Sequence, residues 1–175
     1  MDCVTGLVIL LLAVTVHEVC HGYAALRLGD DTAYHAGRLT LNPLAHLDVV
    51  GSFLLPILLY FGTRGLSSGP IVFGWARPVP VDPLRFRRDV TLRTGMSIVA
   101  AAGPVSNILL AILFAGVYHF SAFIGDPYAS SMEMLCKYAV TTNLYLALFN
   151  FIPIPPLDGS KVLLHFISPN MAHSL

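Results

Sequence analysis

The chain reads as an α-helical polytopic membrane protein, and three observations predict it. Of its 175 residues, 55% are hydrophobic and only 11% are charged, where a soluble domain carries about 25% charged residues. Long apolar runs recur, the first from Val4 to Val16 interrupted only by Thr5, Gly6 and Thr15. The third observation is where the ionisable groups fall. His17-Glu18-Val19-Cys20-His21 continues that first run, and ionisable side chains in hydrocarbon are costly unless they are paired or line a watered cavity.

The elements follow in order as one domain, 1–175. The first core helix is expected over 4–28 and stops at Gly29-Asp30-Asp31, a glycine cap followed by loop residues. At about 1.5 Å per residue it is long enough to cross a bilayer. Residues 29–95 form a loop region. Within it, 36–44 alternates and predicts a small strand or hairpin element. Leu47 to Phe61 is apolar but interrupted by Asp48, Gly51 and Pro56, which predicts a re-entrant or interfacial segment. Trp75 to Pro83 is proline-rich and predicts extended backbone or short edge strands. A second core helix is expected over 96–123. A third core helix with a Pro-rich turn covers 132–159. The fold class is therefore three core transmembrane helices with a re-entrant segment and small β elements between the first and second.

Charge excludes some partners and orients the rest. Ten basic and ten acidic residues give a net charge of zero, so no nucleic-acid surface is expected; the partner is the lipid bilayer. Cys3, Cys20 and Cys136 are odd in number and form no C-x-x-C pair, which argues against a disulfide framework. The opening segment starts Met1-Asp2 without a positive residue, and cleavage near Thr15 would cut into the histidine motif. It is expected to stay as part of the fold rather than leave as a signal peptide. Arg64, Arg77, Arg85, Arg87, Arg88 and Arg93 cluster before the second helix, whereas 124–131 has no Lys or Arg. The positive-inside rule then places 62–93 in the cytoplasm and 124–131 outside. For His21, Asn107 and Asp158 to share one depth, the first helix must end inside and 47–61 must not cross.

Three motifs carry chemistry. H-E-x-x-H on a helix sets His17 and His21 one turn apart on one face, suited to gripping zinc, with Glu18 as general base. A catalytic zinc takes three protein ligands and keeps a fourth position open, so two histidines leave one ligand to find. Asn150-x-x-Pro153-x-Pro155-Pro156-Leu157-Asp158-Gly159 supplies a carboxylate, Asp158, on a rigid turn, and Asn150 as a candidate donor to an oxyanion. The third motif, Gly103-Pro104-Val105-Ser106-Asn107, reads either as a proline kink with interhelical glue or as placing Asn107 for substrate contact. His35, His46, His119, His165 and His173 have no metal-ligand spacing and read as surface or helix-end residues.

HEVCH, GPVSN and NFIPIPPLDG, in that order in three apolar helices, resemble the site-2 protease family of zinc intramembrane metalloproteases. Gly37 to Asp48 and Phe73 to Val81 resemble its compact bacterial and archaeal branch, and the likeness runs from Val14 to Val162 with no room for the PDZ domain that many relatives insert. The resemblance implies one zinc ion per chain on His17, His21 and Asp158, with Glu18 as base and Asn150 assisting at the oxyanion. It further implies cleavage of transmembrane segments of other membrane proteins, from a multi-pass position in a prokaryotic inner membrane. Two other readings are a metal-binding transporter and a catalytically inactive scaffold; a general base directly after His17 favours hydrolysis over transport.

Overall fold

The computed structural model describes residues 3–65, 74–121 and 128–167. Helix α1 spans Cys3–Arg27, α2 is a single turn at Thr32–His35, and α3 is Leu55–Thr63. The long helices α4, Leu92–Ser121, and α5, Tyr128–Asn150, follow, and α6 closes the fold at Asp158–Phe166. Helix α4 is central, packed against α1, α5 and α6, and α1 also touches α5.

Helix α1 ends as its glycine dictates. Gly29 takes φ +107°, Asp30 N–H donates to Ala25 O at 3.0 Å and Gly29 N–H to Leu26 O at 3.1 Å, the paired bonds of a Schellman cap. Asp30 is then fully buried, where its carboxylate accepts from Thr32 N–H at 2.9 Å and from Asp82 N–H at 2.7 Å. One side chain thus ties the end of α1 to the loop that precedes α4. Arg85 adds an outer tie at 2.6 Å to Asp31, and its guanidinium holds the Asp31 carboxyl below the usual carboxylate range. Ala25, Leu28, Phe86 and Val99 form the apolar core at this end.

Polarity is arranged inside out. The buried side chains of the long helices include Thr15, His17, His21, Ser106, Asn107 and Asn143, while Leu7, Leu10, Leu12, Leu109, Ile112, Leu113, Leu144 and Leu148 are exposed. A water-soluble bundle does the reverse. Two helices, Val4–Arg27 and Leu92–Ser121, are long and apolar enough to cross a membrane. Helix α5 has 23 residues, about 35 Å at the helical rise. It carries Glu133, Lys137, Thr141, Thr142 and Asn143 and falls short of the others in apolarity, so the three-helix spanning core expected from sequence stands on two helices by composition.

Several expectations change. No strand occurs among the described residues, so the small β elements are corrected. At 36–44, Asn42 Oδ1 accepts from Leu44 N–H at 3.1 Å and starts a 3-10 turn at Pro43–His46; the alternation there finds no partner strand. His46 is at the end of that turn but is buried, its Nε2–H donating to Thr40 O at 2.9 Å. Residues 74–82 are extended but unladdered, held by Trp75 N–H to Gly51 O at 3.1 Å and Arg77 N–H to His46 O at 2.8 Å. Val49–Leu54 winds as a π-helix into α3, and together they reach about 22 Å, shorter than the roughly 30 Å hydrocarbon core. Leu7, Leu10, Leu11 and Val14 of α1 share a second cavity with Gly51, Ser52, Pro56 and Trp75, so both irregular segments run beside the N-terminal half of α1. The third helix, expected from about Met132 to Phe151, spans Tyr128–Asn150, and Asp158, expected on the Pro-rich turn, is the first residue of a separate helix. The expected end of the second helix at Phe123, and residues 124–127 of the loop after it, lie outside the described residues.

Asp30→Ala takes the acceptor from two part-buried backbone donors, Thr32 N–H and Asp82 N–H, and each such loss costs about 1 kcal/mol. The variant is expected to melt several degrees below wild type in detergent by circular dichroism, with Asp30→Asn intermediate. A wild-type melting temperature for Asp30→Ala would remove this role.

Candidate metal centre

His17 and His21 are buried on α1, which packs against α4, and the rings lie against Gly103 of that helix. Asp158 reaches them from the first turn of α6, 141 residues from His17. Its Oδ2 lies 3.2 Å from His17 Nε2 and 3.1 Å from His21 Nε2, and the two Nε2 atoms are 3.0 Å apart. Four donors arranged tetrahedrally around zinc at about 2.0–2.1 Å stand about 3.3 Å apart. A triangle with edges of 3.0 to 3.2 Å fits that set, and among the described residues these three form the group placed so that it could hold a metal ion.

The proton positions make the fit chemical as well as geometric. His17 Nδ1 stands 2.7 Å from Asn107 Oδ1, and His21 Nδ1 stands 2.7 Å from Val99 O. Both partners only accept, so each imidazole carries its proton on Nδ1 and donates it there. In the neutral ring the metal-facing Nε2 is then a bare lone pair. Two such lone pairs and a carboxylate oxygen converge on one point, a repulsive arrangement that a cation relieves. The outer oxygen of Asp158 faces Lys161 Nζ at 3.7 Å, which favours one-oxygen ligation through Oδ2.

Backbone clears the space. A Cβ on Gly103 would stand 2.6 Å from His17 Nε2 and closer still to His21 Nε2, so α4 presents bare main chain to the metal-facing atoms. Pro104, next in α4, carries no N–H to offer Ala100 O, four residues back; the His21 proton goes to the neighbouring carbonyl, Val99 O. Behind Asp158, Gly159 lies directly on the Phe151 carbonyl, which lets the Pro-rich turn fold back and aim α6 at the histidines.

Glu18, Asn150, Asp158 and Lys161 line a cavity of about 340 Å³ together with both histidines, Pro78 and Val79. Glu18 is half-buried, and its Oε2 accepts from Val79 N–H at 2.9 Å. Asn150, the last residue of α5, lines the cavity while its Nδ2 donates to Leu146 O at 2.9 Å. Arg38 is buried; burial lowers its guanidinium from its ordinary value, Arg77 adds to that, and Glu18 opposes it. Asn107 does not reach the cavity lining. It is fully buried behind His17, with its Oδ1 2.7 Å from His17 Nδ1. Val99 O, Lys161 and Asn143 went unnamed as site residues because no local pattern marks them beyond the polar Asn143 in an apolar stretch; Gly103 stands in the sequence only as the start of the Gly103-Pro104 motif, which reads as a kink.

The comparisons with known proteins agree with this geometry. Residues 118–173 match the family model described as Peptidase family M50, a span that takes in Asn150 and Asp158. A protein of Bacillus subtilis (strain 168), named "Putative zinc metalloprotease YwhC", is 38% identical over 172 residues, 93% of this chain and 68% of that protein. The chain belongs to peptidase family M50. A Mycolicibacterium smegmatis protein named "Putative zinc metalloprotease Rip2" is 30% identical over 168 residues, covering 94% of this chain and 58% of its own length. A shorter match, 38% over 65 residues, is to "Putative zinc metalloprotease MJ0611" of Methanocaldococcus jannaschii. No solved structure matches the chain. The site-2 protease resemblance drawn from the three motifs is borne out.

Gly103→Ala tests the bare-backbone contact, because in an ordinary helix this change stabilises by about 1 kcal/mol. Here zinc content of the purified protein is expected to fall about 10-fold or more by elemental analysis, with the helices intact. Undiminished zinc in Gly103→Ala would remove α4 from the site.

Proposed function

We propose that this M50 chain is a zinc-dependent intramembrane endopeptidase, hydrolysing peptide bonds in or near transmembrane segments of other membrane proteins. The observation that carries the reading is the convergence of His17 Nε2, His21 Nε2 and Asp158 Oδ2 on one cavity, beside Glu18. Those three residues would hold the metal. Bound there, zinc supplies Lewis-acid activation of water and of the scissile carbonyl.

The chain's own groups perform the rest. Val79 N–H holds Glu18 through Oε2, leaving Oε1 as the atom that takes a proton from the attacking water. Glu18 then returns that proton to the leaving amine nitrogen. Asn150 Nδ2 has a second N–H besides the one given to Leu146 O, and it stabilises the charge that develops on the carbonyl oxygen. His17 and His21 keep their protons on Nδ1, away from the reaction. The cavity admits water within an otherwise apolar bundle, and a substrate helix must unwind locally before its carbonyls are reachable.

Two features support a multi-pass membrane position with zinc in the cytoplasmic half. The polar site is enclosed and the outward surfaces of α1 and α4 are apolar. The 15-residue apolar stretch Val49–Thr63 is too short to cross, so it re-enters and leaves both its flanks on the arginine-rich side.

Glu18→Gln is expected to retain stoichiometric zinc while cleavage of a model transmembrane substrate in detergent falls by about 10²-fold or more. Substantial proteolysis by that variant would sink the assigned base. Asp158→Ala should lose zinc and activity together, since two histidines hold the metal weakly; full zinc occupancy would send the search for a third ligand elsewhere. Topology is read with single cysteines at the exposed positions Ala36, Gly65 and Ser130 in a background lacking the native three. A membrane-impermeant thiol reagent should reach the first two only from the cytoplasm and the last only from outside. Opposite sides for Ala36 and Gly65 would mean that the 49–63 segment crosses.

A further inference from the structure

Asn143 sits in the middle of α5 and is 1% exposed. A primary amide in an apolar bundle is costly unless both its ends are paired. Its Nδ2 donates to Ala139 O, one turn back, at 2.8 Å. Its Oδ1 accepts from Asn107 Nδ2 at 2.9 Å. Asn107 in turn donates to Ala13 O at 3.2 Å and accepts from His17 Nδ1 at 2.7 Å. A chain of amides therefore runs from α5 through α4 to a metal-facing histidine of α1.

Asn107 has two possible orientations, with its oxygen and its NH₂ exchanged. Two acceptors, Asn143 Oδ1 and Ala13 O, flank one end and demand the NH₂ there. The oxygen must then face His17. In the reverse orientation, the NH₂ would meet His17 Nδ1, drive the imidazole proton to Nε2 and remove the lone pair that faces the metal. Ala13 O alone holds this choice weakly, because it is a main-chain carbonyl of α1 and the contact is long. The decisive acceptor is Asn143.

We propose that Asn143 is a positioning residue of the metal centre: it holds Asn107 in the one orientation that makes His17 a ligand. The inference rests on the zinc reading of the His17, His21 and Asp158 cluster. It extends the centre to a helix that contributes no ligand, by a residue that touches neither the cavity nor the metal-facing atoms.

The test compares wild type, Asn143→Leu and Asn143→Asp as full-length chains in detergent. Zinc affinity is measured by competition with a chromophoric chelator, and ligand geometry by the visible spectrum of the cobalt(II)-substituted protein. Leucine keeps the volume and removes the acceptor; aspartate keeps an oxygen toward Asn107 and exchanges the NH₂ that faces Ala139 O for the oxygen of a carboxyl group, which burial favours in its neutral, protonated form. Asn143→Leu is expected to bind zinc about 10-fold or more weakly, the scale for outer partners of metal-bound histidine, with a changed cobalt spectrum. Asn143→Asp should stay within about 3-fold of wild type and keep its spectrum, the pattern expected when the acceptor is what matters. Should the leucine variant fail to fold, Asn143→Ala removes the same acceptor with less crowding. Wild-type affinity in the leucine or alanine variant overturns the proposal. So does a loss in Asn143→Asp equal to that in the leucine variant, which would assign the effect to packing or to the Ala139 bond. A wild-type chain that binds no zinc fails earlier, at the metal reading itself, so the two failures are distinguishable.

Discussion

The fold depends on one electrostatic constraint: polar atoms enclosed by apolar helices must each have a partner. His17 and His21 have two nitrogens apiece, and the Nδ1 protons are taken by Asn107 and by the Val99 carbonyl. That choice strands the Nε2 lone pairs toward each other and toward Asp158. Everything near the site serves this arrangement. Helix α4 lacks a side chain at Gly103 where the rings must approach. Helix α5 lends an amide. Helix α6 begins at the residue whose carboxylate completes the triangle, and negative charge is favoured at a helix N-terminus.

The site was legible where its chemistry is local. H-E-x-x-H shows because a helix puts residues four apart on one face, and Gly29 marks the end of α1 because only glycine readily takes the positive φ that the cap demands. Asp158 follows from ligand counting and from the rigidity of the prolines before it. The spacing does not show what Asn107 faces. Its partner is 90 residues away in sequence, and whether a buried amide meets substrate or a ligand's far side depends on helix packing.

The misread segments fail for a related reason. Arg38 to Leu41 alternate as a strand does, but a strand needs a neighbour, and the Thr40 carbonyl is instead taken by His46. Asp158-Gly159 has the composition of a turn. The residues after it, Ser160 to Phe166, nevertheless continue as helix, because Gly159 is needed for its close approach to the Phe151 carbonyl rather than for a bend. In both places the local signal was real and the tertiary demand was stronger.

The long separation between His17 and Asp158 has a consequence for biosynthesis. As a chain emerges from its N-terminus, α1 enters the membrane with both histidines but without the third ligand, and two ligands hold zinc weakly. The carboxylate arrives only after a further 141 residues beyond His17 have been made. A nascent or broken copy, however well its first helix is inserted, therefore carries no assembled hydrolytic centre. Metal capture on the full set of three side chains therefore waits for α6. Until that helix is in place the candidate centre is incomplete, however far the earlier helices have folded.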